Sequence, residues 1–149
     1  MKILCFFAIL LVVLDTVLIA GDKKPVKLIF DTDIQGDVDD VGSVAILHAL
    51  ADKGEVQILG MAVSCKNPWS PLCLDALNHY FNRPSVPIGV VKGKAFLKPS
   101  RYAKTIAHNF PHKLKSADEA LDATALYRKI LSADTKKEII IVSVGQLTN

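Results

Sequence analysis

Short apolar segments alternate with amphipathic segments along this chain, and that alternation most constrains its fold. The apolar segments predict β-strands over residues 26–30, 56–63, 86–91 and 138–144. The amphipathic segments predict helices over residues 39–53, 70–82 and 116–132. Strands that are apolar along most of their length and separated by helices are typical of a parallel sheet buried on both faces. We therefore expect an α/β fold with an open, mainly parallel sheet wound with helices.

Local signals set the expected helix boundaries. Ser70 followed by Pro71 predicts a helix start with serine as N-cap and proline at the first helical position. Ser116 and Glu119 have the spacing of a capping box, which predicts a helix opening there. Residues 92–115 show no clean periodicity and contain glycine and two prolines. We expect this stretch to be a long loop, a type of segment that is often functional in compact domains.

The last predicted strand is followed only by residues 145–149, without a helix to cover it. An uncovered edge strand of this kind exposes apolar surface and unpaired backbone groups. We therefore expect the sheet to be incomplete on its C-terminal side, either because the chain is a fragment or because a partner segment completes it.

The N-terminal segment predicts targeting rather than fold. Residues 1–21 have a basic start at Lys2, an apolar run and a small-residue end, which together predict a secretory signal peptide. Residues 22–149 would then be the mature domain, secreted or periplasmic. An uncleaved membrane anchor is the alternative, because Leu18 stands where a small residue is preferred for cleavage. Asp15 opposes that alternative, since a charge within a short apolar span is expensive in hydrocarbon.

Charge and cysteine content limit the partners and the covalent structure. The net charge is +3 and the lysines are scattered, so no basic stripe for polymeric nucleic acid is predicted. Cys65 and Cys73 remain after removal of the signal peptide. A local disulfide between them and two buried free thiols are both compatible with an oxidising compartment.

Five carboxylates follow the first predicted strand within ten residues, at Asp31, Asp33, Asp37, Asp39 and Asp40. Such a group of negative charges at the end of a buried strand requires a cation, and a hard divalent metal with oxygen ligands is the natural one. The alternative is a solvated acidic loop whose last members favour the dipole of the next helix. The carboxyl ends of parallel strands share one sheet edge, so the residues after the last strand should reach the same site.

Two other motifs fit these residues less well. A calcium-binding EF-hand loop starting at Asp31 would place Gly42 at the twelfth position, where a bidentate glutamate is needed. A haloacid dehalogenase-like phosphatase would use Asp31 as nucleophile and Asp33 as acid. Gln35 stands where that phosphatase pattern usually has threonine or valine. The phosphatase remains an alternative enzyme, although it leaves the later aspartates without a role.

Two separated motifs resemble the inosine-uridine-preferring nucleoside hydrolase family. Residues 27–33, reading KLIFDTD, together with Asp39 and Asp40 are similar to the family's N-terminal signature. Residues 139–149, reading IIIVSVGQLTN, are similar to its second signature. The resemblance implies a Rossmann-like nucleoside hydrolase fold and a small nucleoside or other ribosyl compound as substrate. It leaves a homo-oligomer open.

The resemblance also implies a calcium ion, Ca2+, and a catalytic residue. Asp33 would bind calcium and act as the general base toward the attacking water. Asp40 would be a second calcium ligand, and the backbone carbonyl of Thr148 a third. Cleavage of an N-glycosidic bond passes through an oxocarbenium-like state that a nearby carboxylate stabilises, which agrees with these roles.

Substrate-binding and supporting roles follow from the same resemblance. Asp39 would hold ribose hydroxyls, and Asn67 is a weaker candidate for a sugar contact. Asp31 would sit behind the metal ligands and orient the loop, and Asp37 would support it.

The chain departs from the family in two ways. Residues 34–38 place five residues before Asp39 where four are usual, so the loop is longer. The family's C-terminal half, with a further metal-binding aspartate and the groups that protonate the leaving base, is absent from this sequence. His108 and His112 are the only histidines outside the predicted helices that could replace the acid. We expect the 149-residue chain alone to be inactive, and a secreted calcium- and sugar-binding pseudoenzyme is the alternative.

Overall fold

A computed structural model describes residues 24–97 and 99–149, and its centre is a five-stranded sheet. The strands are β1 Val26–Thr32, β2 Val56–Val63, β3 Ile88–Val90, β4 Leu121–Asp122 and β5 Ile140–Ser143. Their order across the sheet is β4-β3-β2-β1-β5, and every neighbouring pair is parallel. The predicted open parallel α/β sheet is confirmed.

The connecting helices are α1 Asp39–Asp52, α2 Ser70–Tyr80, α3 Ala103–Asn109 and α4 Ala123–Ser132. Along the chain, α1 and α2 connect strands that progress from β1 toward β3. In contrast, α4 connects β4 with β5 at the opposite edge, so the winding reverses direction. Because parallel crossovers are right-handed, this reversal places α4 on the face opposite α1 and α2. The sheet is therefore wound on both faces, and the reversal occurs beside β1.

The core lies around β1 and β2. Ile29 and Phe30 of β1 and Met61 of β2 have no solvent exposure, and neither does Leu74 of α2. The β5 edge is different, since Ile140 is 51% exposed and Ile141 is 48% exposed. The apolar surface expected at this edge is confirmed.

The pairing of β1 with β2 contains one irregularity. Leu28 pairs with Ile58, but the next residue, Ile29, pairs with Gly60. Leu59 is therefore an extra residue in β2, as in a β-bulge. Beyond it the register is regular as far as Thr32 and Val63.

The predicted loop over residues 92–115 was wrong in part, because α3 lies within it. Ala103 and Ala107 are buried and lie four residues apart on one face of this helix. Helix α3 packs against α2. Two turns of helix between prolines at 99 and 111 are too short for a clear periodicity.

The predicted helix start at Ser116 was also wrong. Residues Ala117–Glu119 form a single 3-10 turn, and the Glu119 carboxylate accepts a hydrogen bond from the backbone N–H of Lys115. Strand β4 follows, and α4 begins only at Ala123. Its N-cap is Asp122, whose carboxylate accepts the N–H of Ala125 at 2.8 Å.

Helix α2 begins at Ser70 as expected, but Ser70 is not its N-cap. The Ser70 hydroxyl donates to the backbone carbonyl of Ile34, in the loop after β1, and the N-cap position is Trp69. The predicted proline at the start of this helix is confirmed at Pro71.

Cys65 and Cys73 are both free and buried. Of the two alternatives, a local disulfide and two buried free thiols, the structure has the free thiols. Burial raises the pKa of the Cys73 thiol to about 12.

The predicted signal peptide at residues 1–21 lies outside the described residues. Within residues 24–97 and 99–149, no helix combines the length and hydropathy needed to cross a membrane.

Candidate functional site

Ser64, which follows β2 directly, joins the ends of three strands. Its N–H and its hydroxyl both donate to the Thr32 carbonyl at the end of β1, at 2.9 and 3.2 Å. The same hydroxyl accepts the N–H of Gln146 at 3.0 Å, and the Ser64 carbonyl accepts the hydroxyl of Thr148. The segment after β5 is therefore fixed against the end of β1.

Gly145 makes this contact possible. A Cβ atom at this position would lie 2.6 Å from the backbone nitrogen of Asp33 and 2.7 Å from the carbonyl carbon of Thr32. Real Cβ atoms do not approach backbone atoms so closely, so only glycine allows the segment after β5 to pack on the Thr32–Asp33 peptide.

The aspartates converge at this sheet edge. Carboxylate oxygens of Asp37, Asp39 and Asp40 lie within 4.8 Å of one another, as a shared metal ion would require. Asp33, Asp37 and Asp39 line one cavity of about 460 Å³. Asp40 lies beneath it, with 3% exposure, and accepts a hydrogen bond from the Thr32 hydroxyl at 2.5 Å. Oxygen ligands from Asp37, Asp39 and Asp40 could together hold a hard cation, whereas Asp33 lines the same cavity outside this close group.

The electrostatics of Asp40 show how much negative charge is concentrated here. The pKa of Asp40 is raised to about 6, mainly by burial and also by the neighbouring carboxylates of Asp33, Asp39 and Asp37. The hydrogen bond from Thr32 acts the opposite way, because it stabilises the carboxylate. Ionisation of Asp40 is therefore less favourable than in an unperturbed aspartate, and a positive charge in the cluster would offset this.

Asp31 supports the site from within the fold. It is 4% exposed, and its Oδ2 accepts hydrogen bonds from the Tyr127 hydroxyl at 2.7 Å and from the Asn149 amide at 2.8 Å. Its Oδ1 is buried and has no hydrogen-bond partner among the described residues. Burial raises the pKa of this carboxyl, and the hydrogen bonds from Asn149 and Tyr127 lower it. Asp31 thus connects α4 with the segment after β5.

The loop between β1 and α1 is held at both of its ends. Gln35 is 3% exposed; its side-chain oxygen accepts the Asn67 amide at 3.2 Å, and its backbone carbonyl accepts the N–H of Arg101 at 3.0 Å. The Tyr102 hydroxyl donates to the backbone carbonyl of Asp37 at 2.6 Å. This loop is therefore fixed in part by residues that precede α3.

The sequence-predicted residues fall into three groups in the structure. Asp33, Asp37, Asp39 and Asp40 lie together at the cavity. Thr148 lies at the same sheet edge through its bond to Ser64, and the side chain of Gln146 approaches Asp33 at 3.5 Å. Asn67 is buried, with its amide on Gln35 and its oxygen accepting the N–H of Trp69 at 2.9 Å, so it positions the loop.

The two candidate histidines are used elsewhere. The His108 ring packs against Trp69, with 4.8 Å between ring centroids. The ring nitrogens of His112 face two backbone carbonyls, Leu114 at 2.6 Å and Ala107 at 2.8 Å. Neither histidine lines the aspartate cavity in the described part of the chain.

Sequence reasoning missed Ser64, Arg101 and Tyr102. Ser64 comes directly after a predicted strand, which is the position where parallel sheets place functional residues, so its location was a usable signal. The two residues before α3 carried no such signal, because the helix that positions them was not predicted.

A comparison of the chain with protein-family models found no match, and a comparison with curated proteins found none either.

Proposed function

We propose that the chain forms the metal-binding and ribose-binding side of a secreted, calcium-dependent hydrolase that cleaves the N-glycosidic bond of ribonucleosides or related ribosyl compounds. The observation that carries the proposal is the meeting of its two motifs. Hydrogen bonds through Ser64 and close packing of Gly145 hold the segment with Thr148 against Asp33. Residues more than a hundred positions apart thus contribute to one site.

The chemistry of the donor set fits calcium. The ion takes six to eight oxygen ligands in flexible geometry. Asp37, Asp39 and Asp40 supply carboxylates within 4.8 Å of one another, and Asp33 lines the same cavity as a further carboxylate. The raised pKa of Asp40 supports this assignment, because it marks a buried carboxylate that lacks a neutralising charge. Calcium, when bound, supplies positive charge that holds ribose hydroxyls and the attacking water in place.

Asp33 is suited to act as the general base. It is half-buried and lines the cavity, so its carboxylate is accessible to a water molecule beside the sugar. As water adds to the anomeric carbon, the C–N bond breaks and its electron pair leaves with the nucleobase. The proton released by the water passes to the Asp33 carboxylate. Asp39 is exposed at the same cavity and would accept hydrogen bonds from ribose hydroxyls.

The leaving base also needs a proton or a hydrogen-bond donor, and neither candidate histidine is placed to give one. General acid catalysis contributes about 10² to 10⁴ in rate, so its lack would leave a binding site with little turnover. This observation favours a second candidate function, a calcium- and sugar-binding pseudoenzyme. The phosphatase alternative is less well supported, because Asp31, its required nucleophile, is buried and bonded to Tyr127 and Asn149.

Calcium titration by calorimetry tests the metal site. We expect the wild-type chain to bind calcium and Asp33→Ala to weaken binding at least tenfold. Asp118→Ala is the matched control, since Asp118 is an exposed carboxylate outside the aspartate cavity, and it should leave affinity unchanged. A folded wild type that binds no calcium would refute the proposed site.

Release of free base from inosine and uridine distinguishes the hydrolase from the pseudoenzyme. We expect calcium-loaded chain alone to show no enzymatic turnover while still binding ribose. Turnover near one per second that disappears in Asp33→Asn would instead show that the residues in hand are sufficient for catalysis.

A further inference from the structure

Beyond the hydroxyls of ribose, we propose that the ligand of the aspartate cavity carries a phosphate group, and that Arg101 binds it. This inference deepens the proposed function and rests on it, because it names the substrate class of the same site as a phosphorylated ribosyl compound.

Arg101 introduces a positive charge into an otherwise acidic cavity. The residues that line this cavity include Asp33, Asp37 and Asp39, and among the described lining residues Arg101 is the only basic one. The cavity, at about 460 Å³, is large enough for a sugar phosphate. Its wall thus presents carboxylates to one part of a ligand and a guanidinium to another.

The backbone of Arg101 is fixed relative to the aspartates. Its N–H donates to the Gln35 carbonyl at 3.0 Å, and the next residue, Tyr102, donates its hydroxyl to the Asp37 carbonyl at 2.6 Å. Ala103 follows with no solvent exposure at the start of α3. Two hydrogen bonds to the loop after β1 therefore hold this arginine at the cavity wall.

Arg101 does not serve to neutralise the aspartates directly. Within residues 24–97 and 99–149, no carboxylate lies within 4.0 Å of its guanidinium; the ion pairs found there join Arg83 to Asp52 and His79 to Asp75. An arginine that shares a cavity with three carboxylates and pairs with none of them keeps its donors available to a ligand.

The guanidinium determines the chemical class of that ligand. It is a planar group with a fork of N–H donors that matches the oxygens of phosphate in a two-point contact. The carboxylates and the ion they would hold are suited to vicinal hydroxyls. A ribosyl phosphate satisfies both ends of the cavity, whereas an unmodified ribosyl group leaves Arg101 without a partner.

Competition between ribose and ribose 5-phosphate tests the inference on the calcium-loaded chain. Hydrogen bonds to charged groups correspond to roughly a ten- to hundredfold change in affinity. We expect wild type to bind ribose 5-phosphate tighter than ribose by about that factor. Arg101→Ala should abolish the preference, and Arg101→Lys should keep part of it, because lysine retains the charge without the fork. Lys104→Ala is the control; this lysine lies over the Trp69 ring and does not line the cavity, so the preference should persist.

The outcomes separate the two proposals. If wild type binds both sugars equally, or if Arg101→Ala keeps the preference, the phosphate inference is overturned while the ribosyl site stands. If Arg101→Ala weakens both sugars by the same factor, Arg101 has a structural role and the inference is likewise overturned. If neither sugar binds to calcium-loaded wild type, the proposed function fails together with the inference. Thermal melting of each variant verifies that it is folded.

Discussion

The aspartates between residues 31 and 40 include two kinds that the sequence does not distinguish. Asp31 and Asp40 are almost fully buried and accept hydrogen bonds from hydroxyl or amide groups of the protein. Asp37 and Asp39 are exposed and line the cavity. Asp31 connects α4 with the segment after β5, and Asp40 is held by Thr32 while its carboxylate lies close to those of the exposed pair. The comparison teaches that carboxylates within one ten-residue segment can differ in burial and in the protein groups that fix them.

Gly145→Ala should have the largest effect on stability, because it places a methyl group against the backbone of Asp33. We expect the free energy of unfolding to fall by roughly 1–3 kcal/mol, as in other overpacked sites. Gly42→Ala is the control. A Cβ at Gly42 meets nothing within 4 Å, and alanine in a helix should stabilise by about 0.5–1 kcal/mol. Urea denaturation measures both changes, and equal stability of the two variants would show that the close packing is not required.

Asp40→Asn should stabilise the chain in calcium-free buffer. The pKa of Asp40 is about 6 in the folded state and 3.8 in an unperturbed chain, so the folded state holds its proton over a wider range. The contribution of Asp40 to stability is therefore greatest below about pH 4 and is lost as the pH rises to about 6 and above. Asn keeps an acceptor for Thr32 but carries no charge. We therefore expect the free energy of unfolding to rise by roughly 1–2 kcal/mol at pH 8.

Denaturation of wild type and Asp40→Asn from pH 4 to 8, with a chelator, measures this slope. Asp118→Asn is the control, since its side chain is exposed and lies outside the aspartate cavity, and it should leave the slope in place. Calcium should abolish the advantage of Asp40→Asn, because it supplies the missing positive charge. A loss of stability in Asp40→Asn at pH 8 without calcium would contradict the assignment of Asp40 as a strained carboxylate.

Tyr127→Phe should lower the free energy of unfolding by about 1 kcal/mol, the usual net value of one hydrogen bond. The variant removes the Tyr127 donor to Asp31 Oδ2 and keeps the Asn149 amide, which donates to the same oxygen. Tyr80→Phe, at a tyrosine that is 72% exposed, is the matched control and should change stability by less than about 0.5 kcal/mol. If both variants behave alike, Asp31 does not depend on Tyr127.

Asp37→Asn should have the smallest effect on stability. It should differ most from Asp40→Asn, because it changes calcium affinity and leaves stability almost unchanged. We expect unfolding to change by less than about 0.5 kcal/mol, as at other exposed positions. Calcium affinity, measured by titration, should nevertheless fall about tenfold or more, because a carboxylate ligand is lost. Unchanged calcium affinity would limit the binding role to the remaining aspartates.

The sheet and its central site could be predicted because their signals are local. Strand β1 is a run of apolar residues that ends at Asp31, and α1 has acidic residues in its first turn and Gly54 with a positive φ after its end. Both features depend on neighbours in sequence. The convergence of residues near 145 with Asp33 was also predictable, since parallel strands place their carboxyl ends together.

The parts that sequence did not predict depend on distant contacts. Helix α3 is short and is stabilised by packing on α2, and β4 is two residues long and exists through its pairing with β3. The division of the aspartates into buried and exposed members depends on where Thr32 and Tyr127 lie in three dimensions. Such features follow from tertiary packing rather than from periodicity.

The extra residue at Leu59 makes the two parts of β2 differ in their tolerance to changes in length. Deleting Leu59 would leave Ile58 and Gly60 opposite consecutive residues of β1, in a regular pairing. Deleting a residue after Gly60 would instead move the following side chains of β2 to the opposite face. Ser64 would then lose its position beside Thr32, and the segment after β5 would lose its attachment. The bulge thus absorbs a change in length before Gly60, and homologues that share this site should keep the interval from Gly60 to Ser64 constant even where its residues differ.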